Sequence, residues 1–197
     1  MELHDEQIDR VYQQIGEFTV SFQWLEHKFR EIGWLLIDPN QNEWPPTQLR
    51  NLTNNDLLNR VKSLYVGKVR TFPGEGASGY CDSFKFVVGE AHKARRVRNN
   101  LLHSAFLELK AGGEIQGIMR VNPRLVIDED GEYEVDSEVL SDEKMRALLA
   151  SLAPLAVAIN LHYTQLIHWA PFDNPPELDE CGLPFHLNGL PFDEESD

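Results

Sequence analysis

An arginine set into the middle of an apolar helical stripe most constrains what this chain can fold into. Phe84, Val87, Val88, Ala91, Ala94, Leu101, Leu102 and Ala105 recur at helical spacing. Carried forward at about 100° per residue, that period puts Arg98 at the centre of the stripe. Asn99 and His103, one turn apart, share its edge. A fixed cation in a core-facing row is unfavourable unless it is paired or opens into a cleft. Both solutions are open to the sequence. Carboxylates within the first apolar helix, such as Glu17 or Glu26, could neutralise Arg98 and His103, or the pair could line a site.

The same period predicts the other helices. Residues from Asp5 to Leu36 step by three or four through Ile8, Val11, Phe18, Phe22, Leu25, Phe29 and Ile32. Asp38-Pro39-Asn40 ends that helix, and Pro45-Pro46 is expected to keep the next loop non-helical. Thr53 or Asn54 can cap a shorter helix through Leu57, Val61 and Tyr65. A loop with Pro73, Gly74, Gly76 and Gly79 leads into the Arg98 helix. After His103 the pattern turns to short apolar runs with a turn at Asp130-Gly131, predicting two to four strands over residues 106–136. A last helix starts at Ser141, with Asp142 and Glu143 in its first turn, and buries Met145, Leu152, Leu155, Ile159 and Leu166; Pro154 should bend it. The expected fold is all-α: a four-helix up-and-down bundle over residues 1–170 with a small β insertion before the last helix. Residues 171–197 form a Pro-rich acidic tail in which Gly182-Leu183-Pro184-Phe185 recurs as Gly189-Leu190-Pro191-Phe192. Phe185 and Phe192 could anchor that tail on the bundle, with its acids competing for the basic residues before Arg98.

Composition narrows the functions. A formal net charge of −14 argues against a general nucleic-acid binder and makes duplex DNA an unfavourable partner. Lys85, His92, Lys93, Arg95, Arg96 and Arg98 nevertheless form a local basic island. It is either a solvated face paired with acids or a phosphate-facing groove, in which Lys93, Arg95 and Arg96 would contact RNA. Cys81 and Cys181 have no metal or redox spacing and read as reduced thiols. His162 and His168 lie off one another's face and read as rim histidines, so no metal site and no cofactor is expected. The acidic start has no leader pattern, and the longest apolar run, Leu148 to Ile159, is short for a bilayer. A cytoplasmic location without membrane contact is the expectation. Phosphate-binding glycine loops and serine nucleophile elbows are absent from the sequence.

The arrangement Arg98-Asn99 followed by His103 resembles the signature of the HEPN superfamily: an arginine, a polar residue, and a histidine four to six positions beyond the arginine. The resemblance in architecture covers roughly residues 5–169; its specific part is six residues. It implies a helical bundle with the motif near the end of the third long helix. It further implies a metal-independent endoribonuclease of the toxin or phage-defence kind, with an antitoxin protein as partner. His103 would transfer protons, Arg98 would hold the scissile phosphate, and Asn99 would orient the imidazole or bond the RNA backbone. Two copies of the motif would face each other across a homodimer. The alternative is a non-catalytic HEPN-like binding or dimerisation domain.

Overall fold

The computed structural model describes residues 2–40, 42–43, 46–112, 114–127 and 133–178. The chain is mostly helical, with a small three-stranded antiparallel sheet before the last helix. In order the elements are α1 (Glu2–Ile37), α2 (Thr47–Arg50), α3 (Asn54–Val69), α4 (Ala77–Leu102), β1 (Ala105–Ala111), β2 (Glu114–Ile127), β3 (Tyr133–Leu140) and α5 (Asp142–Trp169). The turn expected at Asp130-Gly131, Cys181 and both Leu-Pro-Phe units lie outside the described residues.

Local chemistry explains where the elements differ from expectation. The loop after Pro46 is not wholly irregular: α2 begins directly behind it, because proline's fixed φ suits the position before a first helical turn. Thr53 caps α3, its hydroxyl accepting from the Asp56 N–H at 3.2 Å and donating to the Asp56 carboxylate at 2.7 Å. Gly79 belongs to α4, which starts at Ala77. Ala105 was expected on the Arg98 helix and instead opens β1, since α4 stops at Leu102. The apolar runs on either side of Asn122-Pro123 form one strand, β2, whose pairing with β3 shifts register between Val121 and Leu125. Proline has no N–H for the ladder, so the irregularity falls there.

Two compact units divide the described chain. The first comprises Met1–Ser21 and Arg96–Ala150; the second comprises Phe22–Arg95 and Ser151–Asp197. In the first, the sheet runs β1-β2-β3, and it packs Ile118 and Leu140 inward together with Ile8, Val11, Phe18 and Met145. Tyr12 meets Phe106 edge-on at 6.3 Å, and Gln14 donates to Asp142 at 2.6 Å. In the second, Phe84 stacks on Tyr65 at 3.9 Å and tilts against Phe29 at 6.2 Å. By length and composition α5 could cross a membrane, with an 18-residue window of mean hydropathy 1.4. Within the second unit it buries Leu155, Ile159, His162 and Leu166, and 33% of that apolar window is buried.

Glycines in two helices of the second unit should respond oppositely to alanine. A Cβ at Gly33 would sit 2.8 Å from Leu49 Cδ1 and 3.0 Å from Val61 Cγ2, whereas one at Gly89 would meet nothing within 4 Å. Gly33→Ala should therefore lose about 1–3 kcal/mol by overpacking, despite its better helix propensity. Gly89→Ala should gain up to about 1 kcal/mol. Urea melts of both variants check this; a stabilised Gly33→Ala would contradict the packing described.

Candidate nucleic-acid site at the end of α4

On α4 the residues Phe84, Val87, Val88, Ala91, Ala94 and Leu101 are buried, and Arg98 replaces one apolar layer between the last two. Its side chain is half-buried. One guanidinium nitrogen, Nη1, donates to Asn99 Oδ1 at 3.1 Å, and Nε is buried without a hydrogen-bond partner among the described residues. The carboxylates that could have neutralised it are engaged elsewhere. Glu17 accepts from Gln13 at 2.7 Å, and Glu26 pairs with Arg30 at 2.9 Å. Among the described residues, no acid lies within ion-pair distance of Arg98.

His103 directly follows the last residue of α4. Its backbone N–H donates to the Asn99 carbonyl at 3.0 Å, and its imidazole is exposed. The structure thus couples Arg98 with Asn99 side chain to side chain, and joins Asn99 with His103 through the backbone alone. Asn99 does not orient the imidazole here; its oxygen serves the arginine. The basic island divides in the same spirit. Lys85 pairs with Asp82 at 2.7 Å, and Lys93 pairs with Glu90 at 3.0 Å. Arg95, Arg96 and Arg98 form no ion pair among the described residues, and Arg95 Nε is buried without a hydrogen bond. Of the residues expected on RNA, Lys93 is therefore the one already neutralised. Glu90, only 4% exposed, leaves its second oxygen without a hydrogen bond, a buried acid that the sequence reading passed over.

The same reading missed a clamp that fixes the end of α4. Arg120 on β2 is 5% exposed. It bonds Asp136 at 2.9 and 3.2 Å, Glu138 at 2.8 Å and the Ser104 hydroxyl at 3.2 Å. Ser104 in turn donates to the Asn100 carbonyl at 2.5 Å, closing the last turn of the helix. Lys144 also pairs with Glu138. Burial works against the Arg120 charge, but the hydrogen bonds it donates to Asp136 and Glu138 hold its pKa above the ordinary value. Arg120 in turn lowers Asp136. At Glu138, burial raises the carboxyl, and Lys144 and Arg120 together pull it below the usual range. The available signal was alternation: Arg120 shares strand parity with Ile118, and faces Glu138 across the ladder.

His162, expected at a rim, is a core residue, 1% exposed. Its Nδ1 lies 2.8 Å from Tyr65 Oη and its Nε2 lies 3.2 Å from Ser83 Oγ. Two hydroxyls satisfy a neutral imidazole, each acting as donor or acceptor as the tautomer requires. Burial lowers the pKa to about 4 and raises that of Tyr65 well above its usual value. His168 is exposed as expected. Cys81 is a free, buried thiol that burial pushes up in pKa. Among the described residues, no group of three His, Cys, Asp or Glu is arranged to hold a metal ion. A cavity of about 340 Å³ in the first unit is lined by Ile8, Val11, Ile118, Leu140, Asp142 and Arg146 among others, and the motif residues do not border it.

Comparison of the chain with protein-family models, curated proteins and solved structures gives no match.

Two measurements check these arrangements. Arg120→Ala strands two carboxylates that each keep about a third of their exposure, so solvent screening should bring the loss to about 2–3 kcal/mol, below the about 3–5 kcal/mol of a fully buried pair. A change below about 0.5 kcal/mol in a urea melt would contradict the clamp. For His162, the unfolded chain takes up a proton near pH 6.5 that the folded chain refuses until about 4. Its contribution is complete above the unfolded value and is lost as pH falls toward 4. About 2 kcal/mol of stability should disappear between pH 7 and pH 5 on this account. His162→Gln should flatten that slope; an unchanged slope would show that other groups carry it.

Proposed function

We propose that this chain is a HEPN-type, metal-independent endoribonuclease, acting as a toxin or phage-defence effector. The observation that carries the reading is Arg98: a half-buried guanidinium with no carboxylate partner among the described residues, five positions before an exposed histidine at a helix end. A guanidinium left in that state favours a planar anion with paired oxygens, and a phosphodiester is one. In the proposed reaction the 2′-hydroxyl oxygen bonds to the adjacent phosphorus as its proton leaves to a base. The bond from phosphorus to the 5′-oxygen then breaks, and that oxygen takes a proton from an acid. Arg98 balances the added charge on the phosphorane, and His103 moves a proton. Asn99 holds the guanidinium through its amide oxygen and leaves its amide nitrogen for the RNA backbone.

In an in-line displacement the attacking 2′-oxygen and the leaving 5′-oxygen lie on opposite sides of the phosphorus, out of reach of one imidazole, so a second copy supplies the other group across a two-fold axis. The proposal therefore includes a homodimer, and the four longer helices as an up-and-down bundle. It also includes a cytoplasmic site of action and an antitoxin protein that restrains the enzyme. Arg95 and Arg96 extend the phosphate contact along the helix.

A second reading has an observation of its own. Asn99 is turned to Arg98 and leaves His103 without a side-chain partner among the described residues, an arrangement equally suited to a non-catalytic HEPN-like binding or dimerisation domain. Cleavage assays separate the two. Wild-type protein should cleave single-stranded RNA in EDTA and arrest growth when expressed, and His103→Ala should lose about 10²–10⁴-fold in rate. Equal cleavage by the variant, or activity abolished by the chelator, would overturn the mechanism. A wild type that cleaves no RNA, with Arg98→Ala weakening the dimer or nucleotide binding, would establish the second reading.

A further inference from the structure

His103 stands one residue past α4, and the chain is tied down on both sides of it. Its own N–H donates to the Asn99 carbonyl at 3.0 Å. The next carbonyl, of Asn100, accepts from the Ser104 hydroxyl at 2.5 Å, taking the place that the Ser104 N–H would fill were the helix to continue. A carbonyl can only accept, so the hydroxyl proton is committed to Asn100 and the oxygen is left to accept from Arg120 Nη1 at 3.2 Å. Arg120 is 5% exposed and donates also to Asp136 and Glu138 on β3. The segment that carries His103 is thereby anchored to β2 and β3 as well as to its own helix. All of these residues, and Arg98 with them, belong to the first compact unit.

We infer that Arg120, acting through Ser104, is a positioning residue for the His103 imidazole; the inference rests on the cleavage reaction proposed above. A buried arginine between two carboxylates gives little net stability over apolar residues of the same volume, so what it supplies at this place is geometry. Its planar fork meets Asp136, Glu138 and Ser104 in fixed directions, which a lysine ammonium on a flexible stem does not reproduce. Of the three, Ser104 leads to the motif, as the residue after His103. The demand comes from the chemistry. Arg98 would hold the phosphate from within α4, and His103 must reach an oxygen of that phosphate from beyond the helix end, so the turn between them sets their separation. A displacement of about 1 Å in such a pair costs up to about 10²-fold in rate. The sequence favours a different turn: Ala105 continues the apolar period of α4, and the Ser104 bond ends the helix before it.

Full-length Ser104→Ala and Arg120→Lys test this, since both keep the charge of the cluster. With single-stranded RNA in EDTA, each should lower kcat about 10- to 10²-fold and leave KM within about twofold, because Arg95, Arg96 and Arg98 are untouched. Ser104→Thr keeps the hydroxyl and should stay within about threefold of wild type. Ser104→Ala combined with Arg120→Lys should lose no more than the worse of the two alone, since both cut one path. Hydrogen exchange adds a readout that needs no cleavage. The His103 amide should exchange about tenfold faster in Ser104→Ala, while the amides of Ile118 and Met145 keep their wild-type rates. Should Arg120→Lys fold poorly, Ser104→Ala against Ser104→Thr decides. A wild-type kcat in Ser104→Ala, an equal loss in Ser104→Thr, losses that multiply in the double variant, or an unchanged His103 amide would overturn the inference alone. A wild type that cleaves no RNA would overturn it together with the reaction on which it rests.

Discussion

A guanidinium cannot shed its charge to enter a protein interior, so every buried arginine needs anions, and this chain answers that requirement twice in opposite ways. Arg120 is surrounded: two carboxylates and a hydroxyl take its donors, and the cluster fixes the last turn of α4 against the sheet. Arg98, in the same unit, has an amide oxygen and a buried Nε–H that bonds to nothing described. Leaving a buried donor of a charged group unsatisfied costs about 1–3 kcal/mol or more, a large fraction of a domain's margin of about 5–15 kcal/mol. What remains is a half-buried cation whose Nε–H has no partner among the described residues, the state on which the proposed phosphate contact rests.

The two histidines divide along the same line. His162 is dry, neutral and held by Tyr65 and Ser83, which suits a core and forbids proton exchange with a substrate. His103 stands in solvent beside a rigid helix end. An exposed imidazole beside that helix end is what the proposed proton transfer requires, since the carrier must reach both solvent and substrate.

Much of the helical layout was legible because helical period is a local signal: the stripe of α4 placed Arg98 between Ala94 and Leu101, where the structure has it. The end of α4 was not legible. Ala105 continues the apolar period, and what stops the helix is Ser104 held by Arg120, a contact sixteen residues distant in sequence. His162 was misread for the same reason, since its two hydroxyl partners come from α3 and α4, and a lone histidine on an apolar helix carries no mark of them. Strand parity did encode the place of Arg120 beside Ile118 and opposite Glu138, but only once the register was known, because a shift of one residue exchanges the two faces. The fates of Glu17 and Glu26 were settled by neighbours within one turn, Gln13 and Arg30, which the search for distant partners overlooked.

The central claim is that Arg98 is held open for a phosphodiester, and its own Nε–H reports on that most directly. In an ¹⁵N-labelled sample, the Arg98 Nε–Hε resonance should be assigned by loss in Arg98→Lys. It should then be followed while a 2′-O-methyl RNA oligonucleotide, which cannot be cleaved, is added. The account predicts a saturable downfield shift and slowed exchange with water at Arg98, while the Arg120 signal, already bonded to Glu138, stays fixed. An Arg98 signal that does not move while the oligonucleotide binds elsewhere on the chain would contradict it.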